Sequence, residues 1–236
     1  MKDVKINYKN LIRLIIILVV IIVLIIFLVK GCRGRSKSNT GGESGAYTST
    51  EEEIQSLIER YYNARLTLNE NALAEIYRTD SVMEIDIYRK MNEYISSVDG
   101  LKCYIRDGVS RDEYVVFVYS DLTLEKYDIT IPNVTPVYVK TDDDGSLYIY
   151  PGDYSPSLMK YIYPINVDER IEDIATGDEE IKALLEETTA GIKKAAADNA
   201  GFRELYKKLT NANDEDIMQS IEDESRGSEE TEPAGN

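Results

Sequence analysis

Three spacings of apolar residues divide the chain. Between Leu14 and Val29 the apolar run is unbroken, LIIILVVIIVLIIFLV. From Thr50 to about residue 96 apolar positions recur every three or four residues, and from Leu101 to Ile149 they alternate. A helical period returns at Asp178. An uninterrupted run predicts a helix surrounded by lipid, a three-and-four spacing predicts helices with one buried face, and alternation predicts half-buried strands. The run alone would rise about 24 Å as a helix, short of a hydrocarbon core of ~30 Å. Adding Leu11 and Ile12, with Arg13 and Lys30 reaching the headgroups, completes a transmembrane helix over residues 11–30.

Its outer end, FLVKGCRGR, raises a question about Cys32. Gly31-Cys32 fits the end of a lipoprotein cleavage site, which would make Cys32 the acylated first residue of the mature chain. Lys30, however, puts a charge where that site needs a small residue. The run before it is also bulkier and longer than a secretory segment of ~7–15 residues. An uncleaved anchor fits better, and the processed lipoprotein stays as the alternative. Lys2, Lys5, Lys9 and Arg13 precede the run, and Lys30, Arg33, Arg35 and Lys37 follow it, so flanking charge does not fix the topology. The short tail of residues 1–10 favours a signal-anchor with that tail in the cytoplasm and the bulk outside. Arg13, Lys30, Arg33 and Arg35 would then form the membrane interface.

Residues 31–49 are basic at first, then Gly/Ser-rich, and read as a flexible tether. Thr50 and Glu53 form a capping-box signature ahead of Ile54, Leu57, Ile58, Tyr61, Tyr62 and Leu66, predicting a long first helix. A short second helix carries Leu73, Ile76 and Tyr77. A third, over about 80–96, carries Val82, Ile85, Tyr88, Met91 and Ile95. After Asp99-Gly100, Leu101, Cys103 and Ile105 predict a strand. YVVFVY, Tyr114–Tyr119, is apolar on both faces and suits a central strand. Another strand near 133–141 leads through Asp144-Gly145, a type I′ hairpin signal, to Leu147-Tyr148-Ile149. Asp142, Asp143 and Asp144 do not make a calcium loop, because the twelfth position falls on Pro151 instead of a carboxylate. Asp178 is an N-cap candidate for a helix with Ile181, Leu184, Leu185, Thr188, Ile192 and Ala195 on one face. A further helix holds Phe202, Leu205, Tyr206 and Leu209. Residues 166–211 read as a helical extension, and residues 212–236, with nine acids and one base, as an acidic disordered tail.

Charge and chemistry narrow the function classes. Residues 38–236 carry 19 basic and 42 acidic groups, a net of −23, which disfavours a nucleic-acid partner. There is no histidine, so Ser-His and Cys-His nucleophile systems and histidine-ligated zinc are excluded. No cofactor or metal site is expected. Cys103 shares the apolar face of its strand with Leu101 and Ile105 and reads as a small buried hydrophobe.

Three helices followed by an antiparallel four-stranded sheet make residues 50–165 an α+β domain. The order of IERYYNARLTLNENALAEIY and then VYVKTDDDGSLYIY resembles the nuclear transport factor two-like fold shared by ketosteroid isomerase and the SnoaL-like proteins. The resemblance implies a curved sheet wrapped around the first helix as a cone. Residues 61–163 hold 15 of the 18 tyrosines to line it, with Tyr61, Tyr62, Tyr104 and Tyr114 as candidate pocket residues. Anchor, tether and cone together resemble membrane-anchored proteins of Gram-positive anaerobic bacteria, a likeness that supplies no activity. Three readings follow. The first is a non-catalytic extracytoplasmic binding or scaffold module, held to lipid by residues 11–30 and engaging a protein partner in the cell envelope. The second is a solute-binding lipoprotein processed at Cys32. The third is an isomerase or dehydratase using a pocket Asp and Tyr, for which Asp86, Asp107, Tyr61 and Tyr104 have the right chemistry.

Overall fold

The structure, a computed structural model, describes residues 49–80, 82–155 and 160–210. The expected membrane helix with Arg13 and Lys30, the tether with Cys32, Arg33 and Arg35, and the acidic tail lie outside the described residues. No helix among the described residues is long and apolar enough to cross a membrane.

The described chain is α+β, with six helices and a four-stranded antiparallel sheet. Helix α1 (Ser49–Leu66) buries Ile54, Leu57, Ile58, Tyr61 and Tyr62, the stripe its spacing predicts. It ends in a left-handed residue, Leu68 at φ 52°. The Asn69 N–H reaches back to the Ala64 carbonyl at 2.9 Å, satisfying one of the carbonyls a helix end leaves open. The Asn69 side chain then accepts from the Ala72 N–H at 3.1 Å and so starts α2 (Glu70–Tyr77). Helix α2 repeats the same ending, with Arg78 at φ 56° and the Thr79 N–H on the Ala74 carbonyl.

Helix α3 (Ile85–Met91) is shorter than the sixteen or so residues its apolar period suggests. Residues at its C-terminal side are drawn into the sheet: the Ser96 N–H bonds the Thr123 carbonyl at 2.9 Å, and β1 (Ser97–Asp107) begins one residue later. Long-range pairing overrides local periodicity here. The strand therefore runs through Asp99-Gly100 instead of starting after it. Gly100, at φ 64°, sits in a bulge that shifts the β1–β2 register between Asp99 and Lys102.

Strands β2 (Glu113–Leu124), β3 (Ile129–Thr141) and β4 (Leu147–Ile149) complete a meander in the order β1-β2-β3-β4. Val116 and Val118 of β2 face α1 together with Val137 and Val139 of β3. Val115, Phe117 and Tyr138 point the other way and are equally buried, as the doubly apolar YVVFVY requires of a central strand. The β3–β4 loop departs from the type I′ expectation, because only Gly145 of the pair has positive φ. The Gly145 N–H bonds the Asp142 carbonyl and the Asp142 N–H bonds the Ser146 carbonyl, so the loop is one residue longer, with a left-handed glycine closing it.

A hairpin of β5 (Asp153–Ser155) and β6 (Lys160–Ile162) has no counterpart in the sequence reading, whereas α4 (Ile165–Gly177) falls in the stretch read as a helical extension, ahead of the helix period at Asp178. Asp178 caps α5 (Glu179–Asp198) as expected, its Oδ1 accepting from the N–H groups of Glu180 and Ile181 at 3.1 Å. Arg106, on the sheet face away from α1, is bound by Asp178 at 2.7 Å and by Glu180 at 2.6 Å. Arg170 of α4 donates to the Asp107 carbonyl at 3.0 Å. These contacts draw α4 and the start of α5 onto the second face of the sheet.

The described residues through Leu185 belong to one compact unit and those from Glu186 onward to another, with α5 running from one into the other. In the second, α6 (Ala200–Thr210) is capped by Asn199, buries Phe202, and is tied to the end of α5 by Arg203 donating to the Ala196 carbonyl at 2.9 Å.

Candidate functional site

The densest polar constellation inside the first unit is built from tyrosines around one arginine. Tyr61 and Tyr62 project from α1 one turn before Arg65, Tyr77 closes α2, and Tyr88 lies in the middle of α3. All four tyrosines are buried, while Arg65 is half-buried. The Arg65 guanidinium carbon stands 5.2 Å from the Tyr61 ring centre, 5.5 Å from that of Tyr62 and 4.6 Å from that of Tyr88. Electron-rich ring faces thus take the place of water around a charge that is never lost. Burial disfavours that charge and the surrounding tyrosine oxygens favour it. The oxygens win, and the guanidinium is held above its usual range. Among the described residues no carboxylate forms an ion pair with Arg65.

The hydroxyls form a directed chain. Arg65 Nη1 donates to Tyr61 Oη at 3.3 Å, Tyr77 and Tyr88 hydroxyls meet at 2.6 Å, and the Tyr88 hydroxyl donates to Glu84 Oε2 at 3.1 Å. Each phenol has one proton. With Tyr88 giving its proton to Glu84, Tyr77 must donate to Tyr88, which leaves the 3.3 Å approach of Tyr77 to Tyr61 as the weaker contact. The other Glu84 oxygen accepts from the Tyr161 N–H at 3.1 Å and so ties the β5–β6 hairpin to this core. The Tyr62 hydroxyl is the exception. It is buried beside Thr135 but falls short of hydrogen-bond geometry with it, and no other described residue bonds it. Burial pushes the Tyr62 phenol up to about 12 against the pull of Arg65, and burial raises Tyr77 and Tyr88 well above the ordinary value. At neutral pH the cluster is therefore a set of neutral donors around a fixed cation, with no general base among the phenols.

The four candidate pocket tyrosines do not converge. Tyr61 and Tyr62 are inside the α1 core, and Tyr114 packs half-buried on the same sheet face. Tyr104 is paired opposite Phe117 and, alternating with Cys103 and Ile105, lies on the other face. The candidate bases are elsewhere too. Asp86 is exposed and bound to Arg89, and Asp107 is exposed at the end of β1. Cys103 is half-buried, its thiol pushed up to about 12 by burial and by Glu59, so it is not a ready nucleophile. Arg65, Tyr77, Tyr88 and Glu84 were not singled out from the sequence as a site. The legible signal was Arg65 itself, a charge on the apolar stripe four residues after Tyr61.

The space between α1 and the sheet is filled. Ile54, Ile58, Leu73, Val116, Val118 and Val139 expose none of their surface. A groove of about 360 Å³ lies outside this core, between α1 and α2, lined by Arg60, Asn63, Ala64, Asn69 and Ile76 among others. A second, of about 290 Å³, is lined by Asn92, Glu93, Tyr94, Ser96, Glu125 and Lys126. Neither is lined by the tyrosine–arginine cluster. Among the described residues no group of three or more His, Cys, Asp or Glu could hold a metal ion. The acidic β3–β4 loop is held by Arg78, which pairs with Asp142 at 3.2 Å and bonds Ser146. Comparison of the chain with family models, curated proteins and solved structures found no match, so its function is argued from its own residues.

Proposed function

We propose that the protein is a single-pass membrane-anchored binding or scaffold module of the bacterial cell envelope, working outside the cytoplasm and without catalysis. The observation that carries this reading is the filled interior. Apolar side chains and interbonded tyrosines occupy the volume in which a cone-shaped enzyme of this topology would hold substrate, leaving the surface to do the work. The order of helices and antiparallel meander, with a bulge bending β1 at Gly100, supports the nuclear transport factor two-like likeness. The apolar run of residues 11–30 supports the anchor.

Protease added to intact cells should remove the domain and leave a membrane-bound stub. A domain cut only after lysis would overturn the topology. Mass spectrometry of the membrane-extracted chain should find its N-terminus intact, whereas a diacylated chain starting at Cys32 would establish the lipoprotein instead. For the non-catalytic reading the test is a dienolate-analogue screen by thermal shift. An analogue that stabilises the protein, and ceases to do so in Tyr77→Phe, would replace the module reading with the isomerase one.

A further inference from the structure

Backbone hydrogen bonds fix which way each residue of β3 faces. The Thr141 N–H bonds the Asp112 carbonyl at 3.2 Å, toward β2, whereas the Tyr138 carbonyl accepts from the Tyr150 N–H at 2.8 Å, on the β4 side. Antiparallel pairing alternates the two directions residue by residue. The odd-numbered residues 129–137 therefore direct their backbone groups at β2, and Thr130, Pro132, Val134 and Pro136 turn theirs outward. Strand β4 covers that outer side only at Val139–Thr141. Among the described residues no strand pairs with residues 130–136 there, so this part of β3 is a bare edge. Both prolines of the strand fall on outward positions, where a missing N–H costs the sheet nothing. One residue earlier or later, each would remove a bond between β2 and β3. The next outward donor, the Tyr138 N–H, is taken by the Tyr163 hydroxyl at 3.3 Å.

Bare edges are commonly guarded by charge, and this one carries none. No charged residue stands between Asp128 and Lys140, in a chain whose net charge is −16. Apart from its prolines, ITIPNVTPVYV is mostly β-branched, the uncharged composition from which sheets grow between molecules. The opposite edge of the sheet is guarded by other means. The Gly108 N–H bonds the Glu113 carbonyl at 2.7 Å, so Ile105 and Asp107 of β1 face outward. The Ile105 carbonyl accepts from Arg106 Nη1 at 2.9 Å and the Asp107 carbonyl from Arg170, while the Gly100 bulge interrupts the strand before them.

We propose that Pro132 and Pro136 guard the β3 edge against a second copy of this chain. They withhold two of the four N–H donors on residues 130–136 and set a pyrrolidine ring at each place, so β3 of one molecule does not add to β3 of another. The inference stands apart from the binding-module reading. It adds that such a module holds its partner by some means other than strand addition at β3.

The test compares the full chain with Pro132→Val/Pro136→Val, each held as one copy per phosphatidylcholine nanodisc. In sedimentation velocity the double variant should pair disc to disc at concentrations at least about tenfold below any at which the wild type does. The amides restored at positions 132 and 136 should exchange slowly in those pairs. A folded variant that associates no more than wild type overturns the proposal. So do pairs in which the two amides stay open to exchange, since they are joined elsewhere. Two single substitutions test the edge without asking for association. Thr130→Pro, at an outward position, should leave the melting temperature nearly unchanged, and Ile131→Pro, which takes a donor from the β2–β3 ladder, should lower it steeply. Equal losses would mean that the outer side of β3 is already bonded, and would overturn the proposal even if the double variant does not fold.

Discussion

Replacing Arg106 should loosen the start of α5 without unravelling the α1 core. Its side chain is 25% exposed and that of Asp178 28%, so the pair is largely sheltered from solvent screening, while Glu180, at 63%, is not. Two hydrogen bonds join Arg106 to Asp178, at 2.7 and 3.2 Å, and the pair takes the side-by-side form that favours guanidinium over ammonium. A charge-assisted hydrogen bond in such a setting contributes roughly 1.5–3 kcal/mol, and the exposed Glu180 contact at most a few tenths. Arg106→Gln should therefore cost about 2 kcal/mol, a rise of about thirtyfold in local opening. Hydrogen exchange at the Glu180 and Ile181 amides reads this directly, since both donate to Asp178.

The Asp178 carboxyl is held below the usual carboxylate range, first by its hydrogen bond from Arg106. Its contribution is complete above the unfolded value near 3.9 and disappears as pH falls through the lower, folded value. Wild-type protection of those amides should fall in that acid window, and Arg106→Gln should flatten the dependence. Asp178→Asn should lose the ion pair but keep the cap, and Asp178→Ala should lose both, adding about 1 kcal/mol. Equal protection in wild type and Arg106→Gln at neutral pH would refute the reasoning. So would Asp178→Asn and Asp178→Ala behaving alike.

Tyr62→Phe removes a buried hydroxyl that has no partner among the described residues and should stabilise the protein by about 1 kcal/mol in denaturant titration; a loss of stability would mean that the hydroxyl is satisfied. Gly152→Ala should cost about 3 kcal/mol, because Gly152 has φ 92° and an added Cβ would stand 2.4 Å from the Ile162 carbonyl oxygen; an unchanged melting temperature would sink that account. In an alkaline ultraviolet titration Tyr62, Tyr77, Tyr88 and Tyr163 should stay protonated after the exposed tyrosines have ionised. Their raised folded values add stability that is complete below the unfolded pKa near 10 and is lost as pH climbs through the folded values, so ionisation should coincide with unfolding.

Elements with a single strong period were readable in advance. The stripe of α1, the doubly apolar β2 and the Asp178 cap each state their environment in a few adjacent residues. The β5–β6 hairpin was hidden because its strands are three residues long, too short to show alternation. Helix α4 lies in the stretch read as helical extension but shows no apolar stripe of its own, because its buried positions, Val167 and Ile174, are seven residues apart with acidic residues between them. Helix α3 was read too long because apolar spacing says nothing of a distant strand ready to pair with residues 96–99. The tyrosine cluster needed three helices to meet. Composition named tyrosine as the material, but which hydroxyls touch depends on the two left-handed turns at Leu68 and Arg78 that fold the helices back on one another.

The bulge at Gly100 does more than bend a strand. Val98 and Leu101 are three residues apart, yet both pack on the core beneath α1, so the extra residue has reset the reading frame of inward and outward side chains. Deleting Gly100 would leave those two residues two apart and restore plain alternation, with every later side chain on its present face. β1 can thus change length by one residue at this point without scrambling its faces. A change of length at Cys103 or Ile105 would turn the rest of the strand inside out.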